Sequence, residues 1–174
     1  MRDMDKLKTK IRTIPNFPKP GIQFKDITPL LLDPASLELA VNGLVQPFRD
    51  TNITAIAGME ARGFIFGSLA ARELNVGFIP LRKPGKLPYN VKSVSYTLEY
   101  GEASLEAHSD AIKTGDRILL VDDLLATGGT ARASCQLVEQ FGGTVVACAF
   151  VVELLSLNGR SQLDNTHTHS LITY

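Results

Sequence analysis

The residues best able to do chemistry lie in one stretch, Asp122-Asp123-Leu124-Leu125-Ala126-Thr127-Gly128-Gly129-Thr130. Ionised carboxylates only accept hydrogen bonds, so Asp122 and Asp123 suit a ligand rich in hydroxyl donors, such as a ribose. The small, hydroxylated run that follows suits an anion. Gly128 and Gly129 let the backbone turn sharply and approach a ligand closely. The N–H groups opening a following helix carry about half a positive charge, which favours phosphate. Thr127 and Thr130 add hydroxyl donors or a helix cap. Together these groups fit a sugar phosphate.

Such a site needs elements to hold it. Arg117-Ile118-Leu119-Leu120-Val121 is an apolar, branched run that suits a strand buried on both faces. Ala131, Cys135, Val138 and Phe141 then recur at helical spacing. A polar loop between strand and helix sits where open α/β sheets bind ligands. Neighbouring strand residues point to opposite faces, so both acids reach one sugar only if the chain is already turning at Asp123.

Other segments repeat the arrangement. A strand over residues 53–57 leads to Gly58-Met59-Glu60-Ala61-Arg62-Gly63-Phe64 and a helix ending near Leu74. A strand over 76–81 leads to Arg82-Lys83-Pro84-Gly85-Lys86-Leu87-Pro88, a basic loop able to act as a lid. A strand over 94–100, returning through 105–108 after Gly101, makes an inserted flap that carries Glu99. A lone glutamate on such a ribbon is more often solvated than catalytic. Upstream, Leu7, Ile11 and Ile14 predict a helix over 6–14, broken by a proline-rich arm over 15–21. That arm runs into Ile22-Gln23-Phe24-Lys25-Asp26, which reads as a base-binding wall or as a surface loop. Asp33-Pro34 starts a helix with Asp33 as N-cap. Strands are expected over 144–152 and 169–174. His167 and His169 share a face without a third metal ligand nearby, and read as surface or subunit-contact residues.

With 174 residues, the chain is long enough for one substantial core. Eighteen basic and eighteen acidic residues cancel, which argues against a nucleic-acid surface. No apolar run is long enough to span a membrane, and no signal-peptide core follows the charged start, so the cytoplasm is the expected location. Cys135 and Cys148 read as small core residues. The Walker, Gly-x-Gly-x-x-Gly and Gly-x-Ser-x-Gly patterns are all missing.

The stretch over 117–130 resembles the phosphoribosyl-pyrophosphate signature of the type I phosphoribosyltransferases. Segments 16–28, 58–64, 82–88 and 96–101, in that order and spacing, are similar to the adenine-specific members of that family. The resemblance runs from about Ile11 to the carboxyl end. It implies an α/β fold in a single domain over 1–174: a central, mostly parallel sheet flanked by helices. A small hood would be built from the N-terminal arm, about 1–33, and the flap, about 83–107. It also implies a cytoplasmic, homodimeric enzyme of purine salvage that turns adenine and 5-phospho-α-D-ribose 1-diphosphate into AMP and diphosphate with Mg²⁺.

The resemblance assigns roles residue by residue. Glu99 handles the proton of the base at N7, and Arg62 is the second catalytic group. The backbone of Glu60, Ala61 and Arg62 cradles the pyrophosphate. Arg82 reaches it from the other subunit, and Lys83 and Lys86 close over it. Asp122 and Asp123 hold the ribose, and Ala126, Thr127, Gly128, Gly129 and Thr130 hold the 5-phosphate. Adenine lies between Phe24 and Leu124, with Gln23 and Lys25 alongside. No direct metal ligand is implied: Mg²⁺ is carried by the substrate, with Asp122 and Asp123 the nearest acids. Two residues depart from the pattern. Lys25 stands where many relatives have arginine, and Gln23 where a small apolar residue is common.

Two other readings stay open on the residues alone. A 6-oxopurine phosphoribosyltransferase would want a pocket cation facing O6, and Lys25 is the candidate. A non-catalytic sensor of the same sugar diphosphate would add a DNA-binding domain, for which no room is expected before the central fold.

Overall fold

A computed structural model describes residues 3–98, 101–163 and 165–174. The chain opens with α1 (Asp3–Thr9) and an antiparallel arm of β1 (Arg12–Pro15) and β2 (Gln23–Asp26). The helix expected over 6–14 is therefore corrected: it ends at Thr9. Thr13 and Ile14 are β-branched, and Pro15 pushes Ile14 toward extended backbone. Ile14 then pairs with Phe24 instead of completing a helical turn.

After α2 (Thr28–Leu31) comes α3 (Pro34–Val45), where Asp33 caps by accepting from the Ala35 N–H. The chain continues through β3 (Ala55–Met59), α4 (Gly63–Leu74), β4 (Gly77–Leu81), β5 (Val91–Leu98), β6 (Gly101–His108), β7 (Arg117–Leu125), α5 (Gly129–Gln140), β8 (Thr144–Glu153) and β9 (Thr168–Thr173).

Five strands form one sheet in the order β4-β3-β7-β8-β9, parallel throughout. The chain lays down β3, moves outward to β4, then returns to add β7 on the other side of β3. The order thus reverses between β3 and β7, and ligands bind outside the carboxyl ends at such a reversal. Ile118, Leu119, Leu120 and Val121 of β7 are fully buried because both faces of the sheet are covered. Leu119 and Val121 pack in a layer with residues of α1, α3 and α4. Ile118 and Leu120 pack in a second layer with α5 and the β5–β6 ribbon. Burying each of these side chains contributes roughly 2 kcal/mol.

The ribbon pairs Val91 with His108 through Leu98 with Gly101, and a bridge from Arg82 to Glu106 ties it to the end of β4. Glu99 lies outside the described residues. Cys135 and Cys148 are buried and unlinked, their Sγ atoms 3.7 Å apart. Among the described residues, no helix is long and apolar enough to cross a membrane.

Candidate active site

The loops leaving β3 and β7 stand side by side, because Gly58 pairs with Val121 in register. One carries Glu60-Ala61-Arg62, the other residues 126–130. Helix α4 starts hard against β7. A β-carbon at Gly63 would lie 2.8 Å from the Val121 carbonyl oxygen and 2.9 Å from Asp122 Oδ1, so glycine alone permits this approach. Arg62, one residue earlier, is thereby placed over the end of the neighbouring strand. Its Nε donates to Asp123 Oδ2 at 2.5 Å, an acid that is only 3% exposed. Burial works against the Arg62 charge, but the Asp123 hydrogen bond and the nearby acids outweigh it and hold the guanidinium more firmly protonated.

The two acids meet the condition set by strand geometry. β7 stays paired through Leu125, opposite Glu153. Its side-chain alternation slips before that point: Leu124 packs with the layer of Leu119 and Val121, and Leu125 with the layer of Ile118 and Leu120. The strand is rotated across Asp122 and Asp123, and the Asp123 N–H donates to Asp122 Oδ1 at 2.8 Å. Burial first, and the charge of Asp123 second, raise the Asp122 carboxyl well above the usual carboxylate range, while Arg62 pulls it down.

Beyond β7, Ala126, Thr127, Gly128, Gly129 and Thr130 line a cavity of about 90 Å³ together with Asp122, Leu124 and Leu125. The N-cap of α5 is Gly128, at φ +86°, so no side chain caps the first-turn N–H groups. That geometry favours an anion there. From the ribbon, Tyr96 Oη comes within 3.4 Å of Thr130 Oγ1.

The basic loop folds back on the loop after β3. Glu60 Oε2 accepts from Lys83 N at 2.9 Å and from Arg82 Nε at 3.2 Å, and Arg82 Nη1 donates to the Lys86 carbonyl at 3.2 Å. Burial opposes the Glu60 charge, but these donors outweigh it and hold the carboxyl below its ordinary range. Arg82 is thus held at the crevice of its own chain, while Lys83 and Lys86 are exposed.

On the arm, Phe24 lies 6.0 Å beneath the Arg62 guanidinium, with Phe17 edge-on at 5.2 Å. Lys25 takes a different direction. Its Nζ sits 3.8 Å from the centre of the Tyr174 ring and donates to Thr13 Oγ1 at 2.9 Å. Gln23 is exposed, and Leu124 is partly buried in the first layer. Asp26 fixes the arm through Thr28 and Arg12, and those bonds hold its carboxyl at about 2. His167 and His169 both stand edge-on to Phe48 at 5.9 Å. Among the described residues, no group of three metal-ligating side chains forms.

The geometry therefore gathers Phe24, Glu60, Arg62, Arg82, Asp122, Asp123 and the 126–130 loop around one crevice, and sets Lys25 apart from Phe24. It adds three residues to those read from the sequence: Phe17, the Tyr96 hydroxyl and Gly159, which backs the loop. Asn158-Gly159 is a turn dipeptide, the one local signal that would have flagged the last.

A family model for the phosphoribosyl transferase domain matches residues 31–169. The adenine phosphoribosyltransferase of Methylococcus capsulatus is 68% identical over 171 residues, spanning 98% of this chain and 100% of the relative. The crystal structure of adenine phosphoribosyltransferase from Rhodothermus marinus superposes with a TM-score of 0.95 at 51% identity, over 99% of this chain and 98% of that one. The enzyme from Saccharomyces cerevisiae, complexed with an imino-altritol bisphosphate and adenine, superposes with a TM-score of 0.92 at 39% identity, over 97% and 98% of the two chains.

Proposed function

The chain belongs to the adenine phosphoribosyltransferases, within the phosphoribosyl transferase family, and from that membership we propose how its residues divide the work of making AMP. The reaction moves the 5-phosphoribosyl group of 5-phospho-α-D-ribose 1-diphosphate onto adenine and releases diphosphate, a step of purine salvage. As the bond from C1 to diphosphate breaks, positive charge grows on the ribose and negative charge on the leaving group. A site for this reaction stabilises both and excludes water.

One observation carries the assignment. The acids, the anion loop and Arg62 converge at the carboxyl ends of β3 and β7, where the strand order reverses. Residues 126–130 hold the 5-phosphate. Asp122 and Asp123 take the ribose hydroxyls and sit close to the developing positive charge. The backbone of Glu60, Ala61 and Arg62 receives the diphosphate, with Arg82, Lys83 and Lys86 closing over it. Adenine stacks between Phe24 and Leu124, beside Gln23, and Glu99 handles the proton at N7 as general acid and base. Carboxylate oxygens at Asp122 and Asp123 are donors that suit Mg²⁺ alongside substrate oxygens. Bound there, the ion would neutralise the departing diphosphate. The family likeness supports a cytoplasmic homodimer.

The 6-oxopurine reading needs a cation at the base, and the Lys25 cation lies against Tyr174 and Thr13. Diphosphate release with adenine, hypoxanthine or guanine as sole acceptor tests the assignment. Release with adenine alone supports it, and release with hypoxanthine or guanine but not adenine overturns it.

A further inference from the structure

We propose that Glu153, Arg160 and Gly159 are positioning residues for the 126–130 loop, locating its main chain from behind without touching substrate. This rests on the reading of that loop as the 5-phosphate cradle.

Glu153 ends β8 directly beside Leu125, the last residue of β7, and the Leu154 N–H donates to the Leu125 carbonyl at 3.0 Å. Glu153 is 3% exposed. Its carboxylate is gripped by both arms of the Arg160 fork, Nε to Oε1 at 3.0 Å and Nη2 to Oε2 at 2.5 Å. The third arm, Nη1, donates to the Thr168 carbonyl at 2.8 Å. Residue 160 is thus fixed against the end of β8 and the start of β9 at once. A planar guanidinium holds three acceptors in one orientation, which an ammonium cannot do.

The residue before Arg160 meets the loop backbone to backbone. A β-carbon on Gly159 would lie 2.1 Å from the Ala126 carbonyl oxygen and 3.0 Å from Gly128 N. In return, a β-carbon on Gly128 would lie 2.3 Å from the Gly159 carbonyl oxygen and 2.9 Å from Gln162 Cβ. Gln162 Oε1 then accepts from Arg132 Nη1 in the first turn of α5 at 3.1 Å. The main chain of Gly159, with the stem of Gln162 beside it, lies directly behind the loop, and that turn is located by the fork. A buried acid and an arginine at this strand end thus position a loop that their side chains do not touch.

AMP and adenosine differ by the phosphate the loop would hold, so calorimetry with both ligands reads the loop itself. The variants are Arg160→Lys, Gly159→Ala and the pair Glu153→Leu with Arg160→Met. Apolar replacement of a buried ion pair commonly leaves the fold intact, so the paired variant keeps the test open if a single one fails to fold in circular dichroism. The expected result is a fall in AMP affinity of roughly ten- to a hundredfold, with adenosine affinity unchanged. A folded Gly159→Ala or paired variant that keeps the wild-type ratio of AMP to adenosine affinity overturns the inference. Wild-type protein that binds the two equally would instead overturn the phosphate-cradle reading, a separate outcome.

Discussion

Arg62, from the loop after β3, and Asp123, near the end of β7, close the crevice by a direct hydrogen bond from Nε to Oδ2. The acid is buried and the arginine half-exposed, so the pair is asymmetric. Removing the arginine leaves a buried carboxylate without its cation, whereas removing both charges does not. Arg62→Ala should cost about 2 kcal/mol in urea unfolding, and Arg62→Ala with Asp123→Asn should recover most of that loss. Turnover should fall roughly a hundredfold in both, because the cation proposed to face the diphosphate is gone in each. Recovery of turnover along with stability would mean that Arg62 only props the fold.

The arm carrying Phe24 should loosen in acid in a defined window. Asp26 is held at about 2 by the Thr28 hydroxyl and amide and by Arg12. A carboxyl depressed on folding contributes stability that is present above its unfolded value, about 4, and is lost as pH falls through the folded value. Asp26→Asn should therefore lower stability at neutral pH by roughly 1 kcal/mol, since Arg12 is largely exposed and solvent-screened. The stability curves of the two proteins should converge as pH drops from about 4 toward about 2. A gap that stays constant across that range would refute the assignment.

The ribbon reaches the 126–130 loop through Tyr96 and Thr130, whose hydroxyl oxygens are 3.4 Å apart. That is the long end of hydrogen bonding, so the effect should be small. Tyr96→Phe should weaken binding of the sugar diphosphate about twofold, near 0.5 kcal/mol. Thr130→Val should do at least as much, and the double variant less than the sum, because the pair shares one contact. Additive losses in fluorescence titration would show that the two hydroxyls act apart.

The legible parts of this fold are those whose cause is local. A short, branched apolar run that ends at a polar, glycine-rich turn suits a strand covered on both faces, and β7 is one. The glycine-rich turns after β3 and β7 announce helix starts through their own composition. The arm misleads because Leu7, Ile11 and Ile14 have helical spacing, while a partner ten residues beyond Ile14 decides the outcome. The Gly128–Gly159 junction is illegible for a related reason: it joins backbone atoms far apart in the chain, and a glycine needed for close approach looks like any other in sequence. Alternation along β2 does say that Phe24 and Lys25 oppose each other, but not which of them faces Arg62.

Lys25 bears on the question of base choice. A lysine beside the base wall suggests a cation for a 6-oxo group, yet its Nζ lies over the Tyr174 ring with Lys8 at 4.5 Å on the same ring. Burial, then the neighbouring Lys8 charge, lower its proton affinity, which is the reverse of what a site built to hold a cation against a carbonyl would do. Lys25→Met keeps the stem that packs on the ring and removes only the charge. The variant should use adenine with its preference over hypoxanthine unchanged, and its thermal midpoint should shift little, since one repulsive pair is relieved as one ring contact is lost. A variant whose preference moves several-fold toward or away from hypoxanthine in a competition assay would place the Lys25 charge at the base after all.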